Sequence, residues 1–185
     1  MKKLCTLSLA LLLLLTLTFA TASAERYTAG SYYTIDYPDT YTLDDTSYTD
    51  ESTTDNIWLF LLDGETCLID ASVATVDGYE GFSLTNATDE EKQQYVADTL
   101  ASFTDQNAAL ADTLTAASGV PFYVFSMEDS DGPYYYAETI LNGTSAYFYC
   151  YYDDTTHAPD AALMTDLKTV LQTFRPAETA ETSQL

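Results

Sequence analysis

Tyr134-Tyr-Tyr-Ala-Glu-Thr-Ile-Leu-Asn142-Gly143-Thr-Ser-Ala-Tyr147-Phe-Tyr-Cys-Tyr-Tyr152 is the stretch that decides the fold of this chain. Asn-Gly is a strong hairpin signal, because both residues tolerate the positive φ that a tight type I′ turn requires. The flanking segments, Tyr134–Leu141 and Ser145–Tyr152, are rich in aromatic residues and read as strands. Pro121–Met127 has the same character and is set off by Asp129-Ser-Asp-Gly132-Pro133, a cluster of turn residues. The three segments therefore read as an antiparallel meander, with Asp112–Ala117 as a further strand before Ser118-Gly119.

Working outward, Thr88-Asp-Glu-Glu91 has the form of a capping box. The Thr88 hydroxyl is placed to accept from the Glu91 backbone, and the Glu91 carboxylate to reach back. The box opens a helix of four to five turns whose inner stripe is Tyr95, Val96, Thr99, Leu100 and Phe103. Pro159 suits the first turn of a second helix, with Leu163, Leu167, Val170, Leu171 and Phe174 as its apolar stripe and Pro176 as its stop. Toward the N-terminus, Ser31–Tyr37 reads as a strand and Pro38-Asp39 as a turn, with Thr40–Leu43 as a short returning strand. Ile57–Leu62 and Thr66–Thr75 form a hairpin around Asp63-Gly64. Alternation along Thr66–Thr75 puts Cys67, Ile69, Ala71 and Val73 on one face, and Thr66, Asp70 and Ser72 on the other. The element order predicts an α+β fold, an antiparallel sheet flanked by two main helices.

This pattern resembles that of PsbP-like proteins. The resemblance is carried by Tyr33-Thr-Ile-Asp-Tyr-Pro38, the mid-chain helix, a meander containing Val120-Pro121-Phe122, and a final helix ending Leu171-Gln-Thr-Phe174. It spans nearly all of residues 31–176. It implies an α-β-α sandwich and a non-catalytic accessory or ligand-binding role outside the cytoplasm. No functional motif of the family is matched, so no functional residue is carried over.

Residues 1–24 read as a secretory signal: Lys2-Lys3, the leucine run Leu11–Leu15, and Ala22-Ser23-Ala24 before Glu25. Residues 25–30 then read as a polar leader, 31–176 as one α+β domain, and 177–185 as a disordered acidic tail. No second apolar run of membrane length follows, so no span is expected after cleavage. Two of the six Lys and Arg leave with the signal, so Arg26, Lys92, Lys168 and Arg175 face 29 acids. That balance opposes binding to nucleic acid, whose phosphates require clustered cations.

Few chemistries have their residues. A serine triad needs a base and an elbow, and the chain offers one histidine, His157, and no Gly-x-Ser-x-Gly. Carboxylate pairs are abundant, as 29 acids make inevitable. Asp129 and Asp131, with Gly132 next and Glu138 six residues on, match part of an EF-hand loop. Met127 stands where the first ligand belongs, and a solvated hairpin tip is the competing reading. Calcium is thus the one cofactor left open. Cys67 and Cys150 lie in strand-like segments far apart in sequence and either bridge or remain separate buried thiols. The sixteen tyrosines offer the most direct route to a ligand. Tyr134, Tyr136, Tyr147, Tyr149 and Tyr151 fall on neighbouring strands, and tyrosine gives rigid apolar area with a polar tip. The alternative for them is packing beneath a second layer. The sequence describes a secreted, non-catalytic accessory or ligand-binding module for a protein, peptide or glycan. Its alternative is an extracytoplasmic hydrolase using carboxylates or a bound cation.

Overall fold

In the computed structural model, residues 24–44, 59–63, 67–154 and 156–177 are described. The expected signal (1–24), apart from Ala24, and all but the first residue of the expected tail (177–185) lie outside them. Ten strands and two α-helices are formed among these residues. Seven strands make one antiparallel sheet in the order β3 (Tyr41–Asp44), β4 (Leu59–Asp63), β5 (Cys67–Thr75), β9 (Thr144–Tyr152), β8 (Gly132–Leu141), β7 (Pro121–Asp129) and β6 (Ala109–Thr115). A smaller sheet joins β1 (Ala24–Ala29), β2 (Tyr33–Pro38) and β10 (Arg175–Pro176).

The meander forms as read. β7 pairs with β8 and β8 with β9, all antiparallel. Asn142 and Gly143 both take positive φ, 52° and 80°, as the tight turn requires. A side chain at Gly143 would also meet the Tyr79 carbonyl at 2.9 Å, because the 79–83 loop closes over this turn.

One helix covers each face of the large sheet. α1 (Asp89–Ser102) starts at the Thr88 box, with Glu91 N donating to Thr88 Oγ1 at 3.2 Å and Thr88 N donating to Glu91 Oε2 at 2.7 Å. It packs Tyr95 over Tyr123, Phe125 and Tyr136, the alternate residues of β7 and β8. α2 (Ala161–Leu171) is capped by Asp160, whose carboxylate accepts from the backbone of Ala162 and Leu163. It buries Leu163, Leu167, Val170 and Leu171 against the opposite face, where Ile69, Phe122, Val124 and Phe148 lie. The result is an α-β-α arrangement, with the small sheet sharing the α2 side through Tyr33, Ile35 and Tyr37.

Three expectations are corrected. Residues 24–29, expected mostly as a polar leader, form β1. Its exposed polar residues suit an edge strand, and Arg26 is fixed by Asp36 across the pair. Tyr41–Asp44 does not return beside β2, because β1 and β10 already occupy both edges of β2. It pairs instead with β4 at the rim of the large sheet. The last helix ends at Leu171 rather than at Pro176. Phe174 still enters the core, 4.9 Å from the Tyr33 ring and 5.0 Å from Phe122, while Arg175-Pro176 extends along β2.

Candidate functional site

Register places the tyrosines with little freedom. Across β5, β9 and β8, Asp70 faces Tyr149, which faces Tyr136, and Ser72 faces Tyr147, which faces Glu138. Side chains of paired residues share a face. Tyr147, Tyr149 and Tyr151 therefore lie on the α1 side, and Phe148, Cys150 and Tyr152 on the other. The rings form a contiguous network. Tyr149 lies 5.4 Å from Tyr134, 5.3 Å from Tyr136 and 5.8 Å from Tyr147.

The face is not an open platform. Tyr136 is only 6% exposed and lies 5.5 Å from Phe103, at the end of α1. It is a packing residue, because α1 covers β7 and β8. Tyr134 is largely buried too, and its hydroxyl donates to Gln106 at 2.7 Å. Tyr147, Tyr149 and Tyr151, on the strand that α1 does not reach, are half-buried.

Where this face meets the β7–β8 turn, a cleft of about 290 Å3 opens. Tyr134, Tyr149 and Tyr151 form its aromatic wall, Tyr152 lines it as well, and Asp129, Asp131 and Asp153 make its acidic rim. Burial, reinforced by Asp129, pushes the Tyr134 phenol up to about 12. Burial, with Asp70 and Asp153 adding, pushes Tyr151 up to about 12. Both are neutral hydroxyls at ordinary pH, able to donate as well as accept.

Two further acids sit on this face inside the sheet. Glu138 is 8% exposed, and burial pushes its carboxyl up while hydroxyls hold it in place. Tyr95 donates to it at 2.5 Å, and Ser145 donates to its other oxygen. Asp70 is equally buried, its Oδ1 has no hydrogen-bond partner among the described residues, and burial pushes its carboxyl up to about 7. Sequence reading assigned Asp70 only to the polar face of its strand. The signal was there: a charged residue between Leu68-Ile69 and Ala71, in a strand with apolar neighbours on both sides.

The calcium set does not assemble. Asp129 and Asp131 share the turn, where Asp131 N donates to Asp129 Oδ1 at 2.8 Å. Glu138 is six residues along β8 from Gly132, on the order of 20 Å at about 3.3 Å per residue. A straight strand cannot bring it back to the turn. Among the described residues no three His, Cys, Asp or Glu converge as metal ligands. Cys67 and Cys150, far apart in sequence, lie on adjacent strands. Cys67 stands opposite Tyr152, and Cys150 opposite Ile69, so the positions are diagonal on one face. Such diagonals are about 7–8 Å apart, wider than an ordinary disulfide span. The Cys150 sulfur lies 3.9 Å from the Leu163 carbonyl beneath α2. His157 is exposed and stacks on Tyr152 at 4.2 Å.

No helix among the described residues is long and apolar enough to cross a membrane. No family profile and no curated protein matches the chain. Among solved structures, it is similar to cyanobacterial PsbP (CyanoP) from Synechocystis sp. PCC 6803. The two are 13% identical, with a TM-score of 0.46, over 86% of this chain and 95% of that one.

Proposed function

We propose that this chain is a secreted, non-catalytic accessory or ligand-binding module whose ligand enters the tyrosine-walled cleft. The observation that carries this reading is the cleft itself. It gathers Tyr134, Tyr149 and Tyr151 with Asp129 and Asp131 in one concavity, while groups suited to catalysis stay apart. Cys150 is fully buried on the α2 side and His157 is exposed. The two buried acids, Asp70 and Glu138, stand two strands and two residues apart, with Tyr147 and Tyr149 on the strand between.

The ligand is a protein, peptide or glycan met outside the cytoplasm, reached through the signal at residues 1–24. Cleavage after Ala24 leaves Glu25–Ala29 to pair with β2. Sequencing of the secreted protein should begin at Glu25; intact Met1 in the membrane fraction would refute export by cleavage.

A ligand screen on wild type, Tyr151→Ala and His157→Ala, with melting curves alongside, tests the function. Tyr151 is the cleaner probe. Unlike Tyr149 it makes no ring pair among the described residues. Loss of a central aromatic anchor costs about 2 kcal/mol, about thirtyfold in affinity, while His157→Ala should leave binding unchanged. Turnover of a glycoside, ester or peptide, abolished by Asp70→Asn or Glu138→Gln with the fold intact, would return the argument to the hydrolase.

A further inference from the structure

The cleft is one-sided in charge. Its rim is Asp129, Asp131 and Asp153, and among the described residues no Lys or Arg lines it. The chain's few cations are engaged or remote. Arg26 and Arg175 both bind Asp36 on the small sheet, and Lys168 binds Asp112. Lys92 lies on α1, in a groove with Val96 and Tyr123. Among the described residues nothing therefore neutralises the cleft.

A second, independent feature lies behind its wall. Asp70 does not line the cleft, but it is the direct cross-strand partner of Tyr149 and shares its face. It is 8% exposed, with Oδ1 unpartnered among the described residues. A buried acceptor without a partner is costly, and a nearby positive charge would offset that cost. Tyrosine faces also attract cations, through the negative face of the ring. Aromatic wall, acidic rim and unpartnered buried carboxylate all favour the same sign of charge.

Size narrows the class. About 290 Å3 is the lower end for small-molecule pockets, room for one long side chain rather than a cofactor. The acids come from two separate segments, the β7–β8 turn and the residue after β9, and do not converge as metal ligands. Resting on the reading that this cleft takes the ligand, we infer that it receives an arginine or lysine side chain of a basic peptide segment on a partner protein. The alkyl stem lies along Tyr149 and Tyr151, and the charged head meets the rim. The strongly acidic chain, −23 overall, steers such a partner in from a distance.

The test is calorimetric titration of the secreted protein with an arginine-containing nonapeptide and with the same peptide carrying citrulline, a neutral isostere. Calcium alone and a neutral oligosaccharide are run beside them. The arginine peptide should bind at least tenfold more tightly than the citrulline one. Asp129→Asn/Asp131→Asn/Asp153→Asn should weaken it at least tenfold, and Tyr151→Ala about thirtyfold, with melting temperatures close to wild type. Asp77→Asn/Asp105→Asn, which removes two exposed acids outside the cleft, should change it less than twofold. Equal losses from both acid sets would mean general attraction to an acidic protein and would overturn the inference. So would equal binding of citrulline, or calcium as the only ligand. An oligosaccharide held through Tyr151, with the arginine peptide not bound, would overturn the cation but leave the binding module standing. Absence of binding by every probe, with Tyr151→Ala silent against partners from the native secretome, would remove both.

Discussion

Replacing Asp70 by Asn should make the protein more stable at neutral pH, and by an amount that depends on pH in a defined direction. Asp70 is 8% exposed, and burial pushes its carboxyl up to about 7, against about 3.9 in an unfolded chain. As pH rises, the unfolded chain therefore loses this proton first. The native state holds the extra proton between those values, so stability falls as pH climbs from about 4 to 7, and the full cost stands above that range. A separation of about three pKa units at 1.36 kcal/mol each corresponds to a cost on the order of 4 kcal/mol. Asp70→Asn keeps the shape and cannot ionise. In urea unfolding followed by circular dichroism, variant and wild type should agree within about 1 kcal/mol at pH 4. The variant should then lead by about 2–4 kcal/mol at pH 8. Other carboxylates titrate equally in both proteins, so the difference isolates Asp70. A gap that stays constant from pH 4 to 8 would refute the reasoning, since an exposed or paired carboxylate gives no such slope.

Other perturbations test the scaffold. Thr88→Ala removes the acceptor for Glu91 N and should cost about 1 kcal/mol, read by thermal or urea unfolding. Asp36 is held below the usual carboxylate range, chiefly by Arg26 and then by Arg175. Its contribution is present above the ordinary carboxylate pKa and is lost as pH falls through the lowered native value. Both arginines are half-exposed or more, so Asp36→Asn should cost no more than about 1 kcal/mol and nothing measurable in 1 M salt. Thiol titration of the unfolded, unreduced protein beginning at Glu25 decides the Cys67–Cys150 question. No reactive thiol means a bridge, with the strands drawn closer than an ordinary diagonal, and two mean none.

The elements most legible in the sequence were those whose signals are local. Asn142-Gly143 and Thr88–Glu91 each fix a turn or a helix start through their own backbone chemistry, and both formed as read. What escaped depended on partners distant in sequence. Arg26-Tyr27-Thr28 has too little apolar character to announce a strand, and becomes one because β2 offers a free edge and Asp36 a counter-charge. Tyr41–Asp44 follows a proper turn yet leaves for the other sheet, since strand edges are a tertiary resource. The cleft was half legible. Alternation grouped Tyr147, Tyr149 and Tyr151 correctly, but nothing local says that α1 stops over β8, covering Tyr136 and leaving Tyr149 and Tyr151 at a mouth. Nor does a period-two pattern show that its polar side, at Asp70 and Glu138, is buried as deeply as its apolar side.

The most direct test that ligand is taken at this cleft uses nuclear magnetic resonance of the protein from Glu25 onward, labelled with 13C in its tyrosine rings. Resonances are assigned by single Tyr→Phe changes, and the arginine nonapeptide is titrated in. Shifts at Tyr134, Tyr149 and Tyr151 should saturate together, with Tyr27 and Tyr37 of the small sheet unmoved. Saturable shifts confined to the small sheet, with the cleft tyrosines unmoved, would contradict it.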